Sequence, residues 1–171
     1  MIYVIVALAI AARFIPGAAN FSPVYAALLF GGVYLKKRDS IWFPVLLLAG
    51  SDFLLNALFY QTPFEWMQIL NWVGFAAIVM VGWWLQRRVT MRNVLVASVA
   101  GASAFFLISN FAVWIGGMMY PPTLGGLEAC YVAAVPFYGN SLISAVLFSG
   151  ILFGAYEFYL RKAHSRELAA R

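Results

Sequence analysis

A few polar side chains stand inside long apolar runs, and they are the residues equipped for chemistry. Arg13 closes the first run and Asp52 lies 11 residues into the third. Asn56 follows Asp52 by one helical turn, which puts both on one helix face. Asn110 has Trp114 one turn beyond it, and Asn140 opens the last run with Ser144 one turn below. Asn20 falls in the first connection, and Gln61, Glu65 and Asn71 ring the next connection on the same side. Guanidinium, carboxylate and carboxamide groups bind by charge and hydrogen bonding, so the chemistry expected of this set is ligand recognition. Catalysis is not expected. Glu128 and Cys130 are the candidate acid and nucleophile near that side, and no base partners them in a recognisable motif. The lone cysteine excludes an internal disulfide, and the lone histidine, His164, excludes a multi-histidine metal site, so no cofactor is expected. Phosphate-loop, dinucleotide and metalloprotease motifs are absent as well.

The elements that must carry these residues follow from composition. The chain has 171 residues, 64% hydrophobic and only 10% charged, with a mean hydropathy of +0.88. A soluble domain is roughly 25% charged, and a disordered one is rich in charge and poor in apolar residues. Neither fits, and a lipid bilayer is the solvent that does. Six apolar segments emerge, at about 2–16, 22–36, 41–60, 67–87, 93–117 and 139–161. Crossing a bilayer takes roughly 20 helical residues. The last four segments meet that length, while the first two have to be partly buried among their neighbours or thin the membrane locally. Residues 117–138 are too apolar for a solvated loop and too broken by Pro and Gly for a span, so a short surface or re-entrant helix is expected near 124–135, lying as a lid. The expectation is an all-α membrane protein: one integral membrane domain over 1–171, with six transmembrane helices in a single bundle.

Orientation follows from charge. The net charge of +5 comes in clusters at Lys36–Arg38, Arg87–Arg92 and Arg161–Arg171, separated by nearly charge-free stretches. That spacing suits cytoplasmic anchors of membrane helices and not a nucleic-acid face. With both termini cytoplasmic, every Lys and Arg except Arg13 falls inside, which indicates a multi-pass protein of the bacterial inner (cytoplasmic) membrane. The first segment opens without a basic leader and reads as an uncleaved membrane helix. Glu157 and Arg161 form a favourable i, i+4 pair near the inner interface.

By depth, Arg13, Asn20, Asp52, Asn56, Asn110, Trp114 and Asn140 converge on the outer half of the bundle. A concave site there, walled by Trp114, Phe111, Tyr60 and Tyr138, suits a small amphiphilic ligand. Each of Arg13 and Asp52 costs roughly 2.5–3.5 kcal/mol if it faces lipid. They form either an internal ion pair that holds the bundle together or part of the ligand site. Ala7 and Ala11 on the first helix, and Ala97, Gly101, Ala100 and Ala104 on the fifth, have the spacing that lets helix backbones approach closely. The fifth-helix set suits packing within the bundle. Ala7 and Ala11 suit either internal packing or docking of another membrane protein.

The stretch Arg13-Phe-Ile-Pro16, then Asn20-Phe-Ser-Pro23 and Ala26 to Gly32, resembles the opening of a bacterial family of small uncharacterised integral membrane proteins. Ser51-Asp52, Ser109 to Trp114, Tyr120-Pro121, Cys130-Tyr131 and Pro136-Phe137 continue that resemblance over about residues 13–142. More loosely, the chain is similar to the S components of energy-coupling-factor vitamin transporters. Those are six-helix binding subunits with an outer ligand site, which dock through an alanine pair on the first helix. Ala7 and Ala11 match that pair, and the resemblance implies a transmembrane coupling subunit and two ATPases as partners. The function expected is therefore a substrate-binding subunit of a small-molecule or vitamin-type importer. The alternative is a non-catalytic accessory subunit of a larger membrane complex.

Overall fold

The computed structural model describes residues 1–15, 17, 20–61 and 67–169, without the side chains of 59, 60 and 167–169. Every regular element among them is helical. Helix α1 (Ile2–Ala11) runs into a 3-10 turn, Ala12–Phe14, and α2 (Val24–Tyr34) follows. Next come α3 (Lys37–Leu55) with a π-helical turn at Asn56–Tyr60, α4 (Gln68–Leu85), α5 (Met91–Ile115) and α6 (Leu124–Ala169). Helices α3 to α6 are long and apolar enough to cross a membrane, whereas the first two helices are shorter. Leu46, Phe53, Val73, Met80, Leu107 and Ile143 are among many large apolar side chains left exposed on the long helices. Water tolerates no apolar surface of that extent, and lipid does. This is the make-up of a multi-pass membrane protein.

Helix α2 is the axle of the bundle. Each residue from Val24 to Val33 is buried, as expected of a helix that is apolar around its whole circumference. All five other helices touch it. Its 11 residues rise about 16 Å, roughly half of a 30 Å hydrocarbon core. Of the two short segments, one is thus wholly internal, while α1 lies at the edge and buries only Val6 and Ile10.

In lipid, helices gain little from leaving their solvent and associate through close packing, which small residues allow. Gly32 of α2 and Gly82 of α4 meet backbone to backbone. A Cβ at position 32 would lie 2.5 Å from the Val79 carbonyl oxygen, and one at position 82 would lie 2.7 Å from that of Leu29. Ala97 and Gly101 are both buried, and Gly101 seats against Ile78 of α4. Ala97 and Gly101 thus serve packing inside the bundle, whereas Ala100 is exposed and Ala104 half-buried. Phe30, Tyr34, Phe153 and Tyr156 form an aromatic cluster between α2 and α6.

The basic clusters gather at one end, where side chains tie the helix termini. The Trp83 indole donates to Ser40 Oγ (2.9 Å), and the Gln86 amide donates to the Val33 carbonyl (2.9 Å), one of the orphan acceptors at the end of α2. Tyr3 donates to Asp39, and Tyr34 donates to Glu157. Glu157 is thus held by Tyr34, and no Glu157–Arg161 ion pair forms among the described residues.

The expected lid is not a separate helix. Residues 124–135 are the first part of the 46-residue α6, which continues without a break through Pro136. A proline breaks a helix when its neighbours leave the freed backbone groups unsupported, and membrane bundles support them. Here the segment lies along α5 throughout: Tyr131 donates to the Leu107 carbonyl (2.7 Å), Cys130 Sγ to the Asn110 carbonyl (3.4 Å), and the Tyr138 and Ser103 hydroxyls meet at 2.6 Å.

Overpacking a tight core contact costs about 1–3 kcal/mol, and a backbone contact has no side chain that can yield. Gly32→Val and Gly82→Val should each sharply lower the yield of monodisperse protein in fluorescence-detected size exclusion. Gly50→Ala and Gly150→Ala, whose Cβ positions are open, should leave the profile unchanged.

Candidate functional site

Both short helices start from the basic end and stop near mid-height, because α1 with its 3-10 turn ends at Phe14 and α2 begins at Val24. Helices α3, α5 and α6 continue past them. A cleft bordered by Asn20 and Ser22 opens beyond the ends of these two helices, away from the basic end.

Arg13 sits on the 3-10 turn and reaches across to α3. Its Nη2 lies 2.6 Å from Asp52 Oδ1, and its Nη1 donates to Ser51 Oγ at 2.7 Å. The second carboxylate oxygen, Oδ2, accepts from the Trp72 indole of α4 at 3.0 Å. Asp52 is buried and the Arg13 side chain is 19% exposed, so the pair is a nearly dry, hydrogen-bonded ion pair. Asn20 adopts a left-handed backbone (φ 60°), which asparagine tolerates better than most residues. Its carbonyl accepts from Ser144 Oγ of α6 (3.4 Å). Tyr25 and Ser141 join their hydroxyls at 3.1 Å, fastening α2 to α6 at the same level.

Beside the ion pair lies a cavity of about 170 Å³, bordered by Arg13, Asp52, Asn20, Gln68 and Asn71. A second cavity of about 260 Å³ shares Asn20, Tyr25, Asn71 and Phe105 with it and extends along α5 and α6 to Asn110 and Tyr138. The two are adjoining chambers of one cleft. Among the described residues, the carboxamides of Asn20, Gln68 and Asn71 make no hydrogen bond to the protein. Phe75 and Phe105, stacked at 4.7 Å and 18°, form a flat apolar wall. No cluster of His, Cys, Asp and Glu able to hold a metal ion occurs among the described residues.

A family of unknown function (DUF6580) matches residues 1–168. The chain belongs to that family. No curated protein and no solved structure matches it.

In this family member the cleft gathers four of the seven residues expected to converge, Arg13, Asn20, Asp52 and Asn110, together with Asn71 from the ring expected at the neighbouring connection. Asn110 also donates to the Phe106 carbonyl (2.7 Å). The other three do not border it. Asn56 is half-buried in the π-helical turn, and Asn140 is half-buried on α6 with an interaction of its own. The Trp114 indole is shared by the Pro121 and Thr123 carbonyls, so this ring fastens the α5–α6 turn. Of the expected walls, Tyr138 borders the cleft, Phe111 packs against Trp114 on an exposed face, and the Tyr60 side chain and Glu65 lie outside the described residues. Ala7 is half-buried and Ala11 is exposed on α1. Gln68, Phe75 and Trp72 did not stand out in the sequence. Gln68, Asn71, Trp72 and Phe75 nevertheless follow the i, i+3, i+4, i+7 spacing of one helix face, and two amides on such a face were the available signal.

Removing one member of a buried ion pair strands the other, at a cost of about 3–5 kcal/mol, whereas replacing both by neutral groups is often close to neutral. Arg13→Gln and Asp52→Asn should each lower the thermal unfolding midpoint strongly. The double variant should recover most of the loss, which a double-mutant cycle in detergent measures directly.

Proposed function

We propose that this protein is a membrane-embedded substrate-binding subunit that captures a small molecule in the cleft beside Arg13 and Asp52. The observation that carries the reading is the set of unpartnered carboxamides bordering a cavity within an apolar bundle. A carboxamide offers two donors and an acceptor, so a cleft that keeps several of them open is suited to a hydrogen-bonding ligand. The location supports it further, since the cleft opens at the end opposite the basic clusters. By the positive-inside rule that end faces outward, with six membrane-inserted helices, of which α2 is sheathed by the others, and both termini cytoplasmic. This orientation suits uptake across a bacterial inner membrane.

Release into the cell needs a partner, because the chain carries no nucleotide-binding motif. A role like that of the S components of energy-coupling-factor importers supplies one: a transmembrane coupling subunit driven by ATPases, docking on α1. Ala11, together with Val4, Leu8 and Ile15, faces away from the bundle, an apolar face open to such a contact.

Protein purified in native lipid discs should retain a small molecule detectable by mass spectrometry, and Asn71→Leu should reduce its retention at least about tenfold, as expected when a buried polar partner is lost, with the fold intact by circular dichroism. A wild-type bundle that retains nothing, migrating on native gels in a stable assembly without ATPases, would overturn this reading in favour of the accessory role. Orientation is checked separately in a Cys130→Ala background. A cysteine at Met119 should react with an impermeant maleimide from outside the cell, and one at Thr90 only after lysis.

A further inference from the structure

On the reading of the cleft as a ligand site, we infer that its occupant is an uncharged molecule with a planar face and an edge of carbonyl-type acceptors. The charge balance of the cleft carries this. Among the described residues that border it, Arg13 and Asp52 are the only ones with formal charge, and they neutralise each other at 2.6 Å. Both Asp52 oxygens are engaged, one by Arg13 and one by Trp72, so the carboxylate meets a cationic ligand with its charge already matched. The guanidinium has five N–H donors and spends two on Asp52 and Ser51. It can still donate to a neutral carbonyl, but its charge is already matched.

A net anion or cation placed here would add an uncompensated charge in a medium of low dielectric. The other basic residues are gathered at the opposite end of the bundle and give no compensation through the apolar middle. The remaining polar border is made of groups suited to dipoles. Asn20, Gln68 and Asn71 each offer a carboxamide that donates and accepts, and Asn110 keeps its carboxamide oxygen free for donors. The Phe75–Phe105 wall gives a flat ring a surface to lie against. A lone arginine in such a cleft selects anions; one held in a closed pair selects polarity without charge.

Three probes share one planar skeleton and differ in charge: benzamide (neutral), benzoate (anion) and benzamidine (cation). Saturation-transfer NMR on the full-length protein in lipid discs reads their binding down to millimolar affinity. Benzamide should bind, and the two ions should bind at least about tenfold more weakly, as expected from the cost of an intramembrane charge. Asp52→Asn, which leaves Arg13 unmatched, should shift the preference toward benzoate by a similar factor. Benzoate or benzamidine binding the wild type as well as benzamide would overturn the inference while keeping the cleft as a site. Binding of none of the three would overturn both this inference and the ligand-capture reading. The wild-type comparison decides even if the variant fails to fold.

Discussion

The ion pair between Arg13 and Asp52 is the contact on which the far half of the molecule depends. Two charges at mid-depth in an apolar bundle are admissible only when closed on each other and on further hydrogen bonds. Ser51 and Trp72 complete the closure, so one cluster joins the α1 turn, α3 and α4. That cluster fixes the end of the α1 turn against α3 and α4 and borders the cleft.

The rest of the architecture supplies the walls through a length mismatch. Helix α2 is shorter than α3 to α6 and wholly enclosed, so the column above it is left to side chains from α4, α5 and α6. A rigid base makes that space persistent. The Gly32–Gly82 crossing brings two backbones together below the cleft, and the hydrogen bonds of Trp83, Gln86 and Tyr34 lock the termini at the basic end. A close backbone crossing thus underlies the cleft in which the carboxamides stand. Those open carboxamides are the physical basis for reading the cleft as a binding site.

The same logic explains why α6 has no break. Its first third was expected to leave the bundle because Pro and Gly punctuate residues 117–138. Gly117, Pro121 and Pro122 lie in the turn before Leu124, while Gly125, Gly126 and Pro136 are absorbed inside the helix. The carbonyls of Leu107 and Asn110 on α5 accept from Tyr131 and Cys130 across the interface. A lateral partner turns an apparent loop into a continuous wall of the cleft.

Much was legible in the sequence because lipid imposes simple rules. Charge scarcity set the solvent, run length set the helices, basic clusters marked one end, and the scarcity of intramembrane charge singled out Arg13 and Asp52 as needing a reason. Asn20 and Asn110 were legible for the same cause. Which polar residues share a cavity was decided by tertiary structure alone, since that depends on helix rotation and on where each helix stops. Asn56 and Asn140 have the right depth but do not border the cleft, and Trp114 is spent on the carbonyls of a turn. Gln68 and Phe75 reach it from α4, because the glycine crossing sets that helix's rotation against α2. Depth is a property of the chain in one dimension and can be counted along the sequence; facing is a property of packed surfaces and exists only once the helices have met.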